Sequence, residues 1–265
     1  MTAILLTAGI GRRLWPLTAE HPKCLLPLPL AGGCTLIRLV MALELAGVDR
    51  LVCVVGHLRG QIRQALDAVC FRLSIRLVVN DRYSSGSIFS LGAARDFLDD
   101  DVLILDADVL LPLFLVSRLV QSSLPNACLL DPQSTSRGEE MMLMTRGDRV
   151  LSVGREVEQG SWDLVGESLG LAKFDRSAAR TLRDSVSAAI GARCSRADYE
   201  VAYQPVFDSH DVGFLSAAGE PWMEIDTSED LAMAVKSIAP RIADLELREA
   251  VALATASRAS KLERR

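Results

Sequence analysis

Short apolar runs alternate with stretches of helical spacing along the first half of the chain. Ala3–Thr7, Leu51–Val55 and Val102–Leu105 are nearly unbroken apolar segments of strand length, the pattern of strands buried on both faces, and Leu73–Val79 reads as a further strand that stops at Asn80-Asp81. Between them, Leu36–Ala46, Arg59–Cys70 and Ile88–Leu98 have helical spacing. The first is closed by Gly47, and Pro112–Ser122 opens with a proline suited to a first helical turn. Such a βαβα series implies a mainly parallel sheet covered by helices on both faces. Ligands of such sheets sit beyond the carboxyl ends of the strands.

The second half is less regular. Ala127–Leu130, Met141–Thr145, Val150–Val153, Gly166–Phe174, Val212–Ala217 and Trp222–Ile225 read as strands. Arg176–Ile190 and Ser228–Ile238 read as helices, the latter capped by Thr227 or Ser228. Pro132–Glu140 and Glu156–Leu164 read as polar loops. No internal repeat or long linker divides the chain. The expectation is one domain over residues 1–239 and a helical tail over 240–265. Two readings of the Ala-, Leu- and Arg-rich tail stay open, a face for a second copy in a homodimer and a frayed solvated helix.

The first strand runs into Gly9-Ile10-Gly11, then Arg12-Arg13, and Pro22-Lys23 follows. Glycine lets backbone N–H groups approach a phosphate, and the cations supply positive charge there. This is the layout of a nucleoside triphosphate site. An ordinary βα loop with solvated arginines is the plainer alternative. A dinucleotide-binding turn would want a third glycine and an acidic residue about 20 positions on, where this chain has its arginines at once.

Composition narrows the partners. The formal net charge of −5 argues against a general nucleic-acid binder, so the positive loop is a local feature suited to a small anion. Lysines number only four, against twenty-five arginines, which singles out Lys23. The six cysteines form no C-x-x-C pair, so zinc ribbons and redox motifs are not expected. Most read as small core residues, with Cys53 in a strand and Cys70 on a helical face. The short N-terminal apolar run reads as a strand and not a signal peptide. No run approaches the roughly 18 residues of a membrane span. A reducing, cytoplasmic setting is expected.

Two carboxylates follow apolar strands, Asp108 after Val102–Leu105 and Asp226 after Trp222–Ile225. Placed at one sheet edge they can share a magnesium ion, a hard cation that prefers oxygen. The plainer alternatives are a strand-end turn residue for Asp108 and a helix-dipole carboxylate for Asp226. His21, His57 and His210 are scattered without metal spacing, and no nucleophile elbow occurs.

The N-terminal segment resembles the nucleotidyltransferase (pyrophosphorylase) signature, a strand followed by G-x-G-x-R-L-x-P-L-T and then P-K-x-L. Trp222-Met223-Glu224-Ile225-Asp226-Thr227-Ser228-Glu229-Asp230-Leu231 resembles the W-x-E-I-D-T-x-E-D-L motif of phosphocholine and phosphonoalkyl cytidylyltransferases, and the resemblance runs from Ala3 to about Ala234. It implies a Rossmann-like three-layer α/β/α sandwich with a mixed, mainly parallel sheet. It implies catalytic roles for Lys23, at the transferring phosphoryl group, and Arg13, at the leaving phosphates, with Asp108 and Asp226 as Mg2+ ligands. Nucleotide binding falls to Leu6, Ala8, Gly9, Gly11, Arg12, Arg13 and Asp106, and to a second loop containing Asn80, Gly86, Ser87 and Ser90. Gly86 and Ser87 stand where the choline-type enzymes carry two asparagines. The acceptor side falls to Arg155, Glu167, Trp222 and Glu224. An aromatic cage for a quaternary ammonium would draw on Trp162, Tyr199, Tyr203 and Trp222.

The activity implied is Mg-dependent condensation of CTP with a small phosphorylated or phosphonate alcohol or amine, releasing pyrophosphate. Phosphocholine, phosphoethanolamine and 2-aminoethylphosphonate are the acceptor types. A sugar-1-phosphate or cyclitol-phosphate nucleotidyltransferase is the second reading, and a non-catalytic nucleotide-binding subunit the third.

Overall fold

The computed structural model describes all residues except 135–137, 158–159, 193–196 and 264–265, and leaves out the side chains of residues 253, 254 and 256–263. In chain order the elements begin with β1 (Thr2–Leu6), α1 (Leu17–Glu20), α2 (Thr35–Leu45), β2 (Arg50–Val55), α3 (Arg59–Asp67), β3 (Ser74–Val79) and α4 (Ile88–Ala93). Next come β4 (Val102–Asp106), β5 (Val109–Leu110), α5 (Leu113–Gln121), β6 (Ala127–Asp131), β7 (Met142–Arg146), β8 (Arg149–Gly154) and β9 (Leu164–Phe174). The chain closes with α6 (Arg176–Gly191), α7 (Gln204–Ser209), β10 (Gly213–Ser216), β11 (Met223–Glu224), α8 (Ser228–Met233) and α9 (Ala239–Glu263).

The main sheet runs β10-β6-β9-β4-β1-β2-β3, with β7 on β9 and β8 on β7. β4, β1, β2 and β3 are mutually parallel, and β9 is antiparallel to β4 and β6. Strand side chains alternate between faces. Ala3, Leu5, Leu103 and Leu105 therefore join α2, α3 and α5 in one core, while Ile4, Val102 and Ile104 join α4, α6 and α7 in the other. The result is a three-layer sandwich around a mixed, mainly parallel sheet. α4 lies close on α6, because a Cβ at Gly92 would fall 2.3 Å from Ile190 Cδ1.

Several elements differ from the sequence reading. The helix expected over Ile88–Leu98 stops at Ala93, and Arg95–Phe97 is a tighter 3-10 turn. α3 ends at Asp67, which leaves Cys70 exposed beyond it; Cys24, Cys34, Cys53 and Cys128 are buried thiols, and Cys194 lies outside the described residues. The segment expected as strand Trp222–Ile225 shortens to β11. It pairs with β5 in a separate two-stranded sheet, so Asp226 does not lie at the edge of the main sheet. Tyr199–Tyr203 and α7 form helical turns in a stretch whose sequence carries no clear helical spacing.

Helix continues through Pro240, since α8 passes through a π-helical turn at Ala234–Ile238 straight into α9. Proline lacks the N–H that would close the α-helical bond, and a wider turn ahead of it relieves the ladder. Ala234, Ile242 and Ile225 share a third apolar cluster with Leu28 and Leu110. Farther along, Leu247 and Val251 are exposed.

Candidate active site

The glycine loop begins where β1 ends, between the ends of β2 and β4. Leu6 is in register with Asp106 on β4, and Thr7 N–H donates to the Val54 carbonyl at 2.9 Å. Gly11 takes a left-handed φ of 66°, and a Cβ there would meet Thr18 at 3.1 Å and Lys23 at 3.3 Å. Only glycine turns the chain this way without strain. A Cβ at Gly9 would meet nothing within 4 Å, so this backbone is open to a ligand. Ala8 is buried, and its carbonyl accepts from the His57 N–H at 3.2 Å. Arg12 is exposed.

Three carboxylates converge opposite this loop. β5 and β11 pair antiparallel with Val109 against Glu224, and Ile225 N–H donates to the Asp108 carbonyl at 3.1 Å. Asp108, Glu224 and Asp226 each offer an oxygen, and the three lie within 4.8 Å of one another. A capping box at the start of α8 fixes the backbone beside Asp226: Asp230 N–H donates to Thr227 Oγ1 at 3.1 Å, and Asp230 Oδ2 accepts from the N–H groups of Thr227 and Asp226. Thr227 is thus the cap.

Lys23 reaches into this cluster. Its ammonium donates to Asp108 Oδ2 at 2.7 Å and also to Asp226 Oδ1. Burial alone would lower the Lys23 pKa, but the charges of Asp108 and Asp226 outweigh it and hold the ammonium firmly protonated. Burial pushes Asp226 up, and the Lys23 charge and hydrogen bond, with Arg13, bring it below its usual value. Glu224, although exposed over part of its surface, is pushed up to about 8 by desolvation of its carboxylate within the cluster and by the neighbouring Asp108 and Asp226 charges. Arg13 bridges Glu139, at 2.7 Å, and Asp226.

Asp108 Oδ1 is buried without a hydrogen-bond partner among the described residues. An orphaned anionic oxygen in a group of three carboxylates suits a hard divalent cation. These residues can hold one. The structure sets Glu224 beside Asp108 and Asp226, although the sequence reading gave it to the acceptor.

The second loop packs inward. Asn80 is buried, with Nδ2 donating to Ser90 Oγ at 3.0 Å and Oδ1 accepting from the Arg82 N–H at 2.8 Å. Ser87 Oγ accepts from the Tyr199 N–H at 2.9 Å; neither it nor Ser85 caps α4 through its side chain. Asn80, Ser87 and Ser90 therefore use these side-chain atoms to shape the loop, and Gly86, at φ 129°, lies partly exposed at the turn.

Asp106 accepts from the Tyr199 hydroxyl at 2.8 Å. Burial and the nearby Asp108 and Glu200 charges raise its pKa well above the carboxylate range. It lines a cavity of about 80 Å3 together with Arg155, Glu200 and Gly170. Glu200, half-buried and pushed up to about 7 mainly by desolvation, was not singled out from sequence, since a lone glutamate in an irregular stretch gives no signal there. Arg155 Nε donates to Asp198 at 3.0 Å.

A larger cleft of about 680 Å3 adjoins this cavity and shares Arg13, Glu167, Trp222, Glu224 and Asp226 with it. Glu167 accepts from the Ser134 hydroxyl, and the Trp222 indole N–H donates to Asp131 at 2.8 Å. The other aromatics proposed for a cage are elsewhere. Tyr199 and Tyr203 are buried and pack edge to face at 5.7 Å, and Trp162 lies against Gly160.

A cationic glycine loop facing clustered carboxylates across the end of a doubly covered sheet defines a nucleotidyltransferase. The chain belongs to the MobA-like NTP transferase domain family, whose model matches residues 3–197. It is 36% identical over 118 residues to the CMP-5'-(3-aminopropyl)phosphonate synthase of Streptomyces rubellomurinus, a match covering 44% of this chain and 18% of that protein. The CTP:phosphocholine cytidylyltransferase of Streptococcus pneumoniae superposes with a TM-score of 0.70 at 22% identity, covering 87% of this chain and 96% of that one. The inositol-1-phosphate CTP transferase of T. maritima gives 0.71 at 20% identity, covering 91% and 95%. At these identities the two structures share the fold. The chain spans between 18% and 51% of the length of the first curated relatives it matches. No helix among the described residues is long and apolar enough to cross a membrane.

Proposed function

We propose that the chain is an Mg-dependent cytidylyltransferase that joins the CMP unit of CTP to a small phosphorylated or phosphonate alcohol or amine and releases pyrophosphate. The observation that carries this reading is Lys23 held between Asp108 and Asp226 beneath an open glycine loop. An oxygen of the acceptor phosphate or phosphonate bonds to the α-phosphorus as the bond to the β-phosphate oxygen breaks, in line. That oxygen is already anionic at neutral pH, so no general base is required.

The main demand is charge stabilisation. Backbone N–H groups from Gly9 to Gly11 cradle the triphosphate. Lys23 binds the transferring phosphoryl group and Arg13 the departing β- and γ-phosphates. Leu6, Ala8 and Gly9 supply backbone to the base, and the loop from Asn80 to Ser90 closes the base side. Asp108, Asp226 and Glu224 hold the cation; bound Mg2+ supplies Lewis-acid neutralisation of phosphate charge there. CTP is favoured by the likeness to the phosphonate synthase, whose name specifies a CMP product. The buried thiols suit a cytoplasmic setting.

The second reading is a sugar-1-phosphate or cyclitol-phosphate acceptor, favoured by carboxylates in the cleft that can accept hydroxyl donors. Pyrophosphate release with Mg2+ and each of CTP, UTP, ATP, GTP and dTTP, over a panel of both acceptor types, tests these readings. Turnover confined to CTP with amino-alcohol or phosphonate acceptors supports the first. Turnover confined to a sugar or cyclitol phosphate replaces it with the second.

A further inference from the structure

Resting on the cytidylyltransferase reading, we propose that His57 is a positioning residue for the triphosphate: it ties the turn after β2 to α1 and, through Thr18, fixes the Gly11 peptide of the glycine loop. The turn is held in an unfavourable conformation at this point. Leu58 takes a φ of 50°, a left-handed region that a bulky side chain rarely enters. Such outliers persist where the surroundings impose them, and they gather at functional sites. Gly56 lies so close to the glycine loop that a Cβ there would fall 2.9 Å from the Ala8 carbonyl oxygen and 2.7 Å from Tyr83 Cβ. His57 is thereby lodged between the glycine loop and the second loop, whose Tyr83 ring lies 6.2 Å from its imidazole.

His57 makes two bonds from this position. Its backbone N–H donates to the Ala8 carbonyl at 3.2 Å, and its Nε2 lies 3.1 Å from the Thr18 carbonyl oxygen. A carbonyl only accepts, so Nε2 carries the proton and donates. Gln61 Nε2 donates to the Glu20 carbonyl at 2.6 Å, so this turn and the start of α3 grip α1 twice. α1 is only four residues long and leaves its carbonyls without intrahelical donors. Thr18, fully buried, passes the grip on to the loop. Its hydroxyl donates to the Gly11 carbonyl at 2.7 Å, and the Leu14 N–H donates to the same oxygen at 3.0 Å. With that carbonyl pinned, the planar trans peptide turns the Arg12 N–H the opposite way, away from Thr18. Without the His57 tie, the triphosphate has to order this peptide as it binds, and that ordering lowers affinity.

The test is calorimetric titration of CTP with Mg2+ into wild type and variants whose near-ultraviolet dichroism and melting show the fold kept. His57→Phe keeps a ring and removes the donor, and its Kd for CTP is expected to rise about tenfold, the worth of one net hydrogen bond. His57→Gln returns an N–H donor and should bind within about threefold of wild type. Thr18→Val reaches the same loss by a second route and should match His57→Phe. The double variant should bind no more weakly than either single variant, because both cut one chain of bonds. In steady state the KM for CTP should rise in His57→Phe while the KM for the acceptor stays unmoved. Wild-type affinity in His57→Phe, no rescue by His57→Gln, or losses that multiply in the double variant would overturn the proposal and leave the cytidylyltransferase reading intact. If the wild type binds no CTP, that reading fails, and the role of His57 in holding the nucleotide fails with it.

Discussion

Removing the Glu246 carboxylate should destabilise the protein by about 3 kcal/mol, near the lower end of the cost of stranding a buried charge. Arg38 on α2 is 2% exposed, yet it carries a full charge. Its guanidinium donates to Glu246 Oε1 at 2.6 Å, to the Leu111 carbonyl at 3.2 Å and to the Ala31 carbonyl at 3.1 Å. Glu246 also accepts from the Leu113 N–H, at the start of α5, at 3.0 Å. In Glu246→Ala the cation loses its counter-charge and the Leu113 N–H its acceptor. Glu246 is itself 22% exposed at its side chain, so water can replace part of the loss. For a chain of this size the shift corresponds to roughly 6–12 °C in Tm. The double variant Arg38→Met/Glu246→Leu removes both charges and should recover part of the loss, since an apolar pair replaces a buried ion pair at little net cost while the Leu113 N–H and the Leu111 carbonyl stay unpaired. Urea denaturation at constant m-value measures both. A loss below about 1 kcal/mol for Glu246→Ala, or no recovery in the double variant, would refute the reasoning.

Lys23→Ala should lower kcat by about a hundredfold or more with the near-ultraviolet dichroism kept, and near-wild-type turnover would sink the site assignment. Asp108→Asn should raise the Mg2+ concentration for half-maximal activity by at least about tenfold, read from a metal titration after chelation has abolished turnover. Gly170→Ala places a Cβ 2.5 Å from Asp106 Oδ2 at a residue with φ 69°; thermal melting should show a loss of about 1–3 kcal/mol. Burial raises the Asp100 carboxyl pKa, but the Asp101 N–H and the Arg176 and Arg50 guanidiniums bring it below its usual value. Its contribution is therefore complete above the unfolded pKa of 3.8 and is lost as pH falls through the lower folded value. Asp100→Asn should accordingly cost about 0.5–1 kcal/mol at pH 7, shrinking along an acid series of denaturation curves.

The layered fold was legible because β1, β2 and β4 are buried on both faces and read as unbroken apolar runs, as in Leu51–Val55, while β3, at the sheet edge, stays partly exposed. The glycine loop was legible because Gly11 and Lys23 have few other reasons to stand together. Two of the three clustered carboxylates, Asp108 and Asp226, were legible as a pair, whereas Glu224 was read as an acceptor residue. β5 and β11 are two residues each, too short to show periodicity, yet their pairing brings Asp226 and Glu224 to Asp108. Sequence marks Tyr199 and Tyr203 as large and amphipathic without saying that Tyr203 packs on Phe174 and Phe207 and Tyr199 on Tyr203, which takes both out of the aromatic cage. The Arg38–Glu246 pair joins residues far apart in sequence, one of them a charge on a largely apolar helix, and nothing local announces it.

The central claim is that the Lys23–Asp108–Asp226 site transfers CMP. The most direct measurement mixes the protein with CTP, Mg2+ and 2-aminoethylphosphonate or phosphoethanolamine, and identifies the product by mass alongside the pyrophosphate released. A CMP-linked acceptor in amounts equal to pyrophosphate, formed by the wild type and lost in Asp108→Asn, is the predicted result. The same product formed unimpaired by Asp108→Asn, or transfer with every other triphosphate and none with CTP, would contradict it.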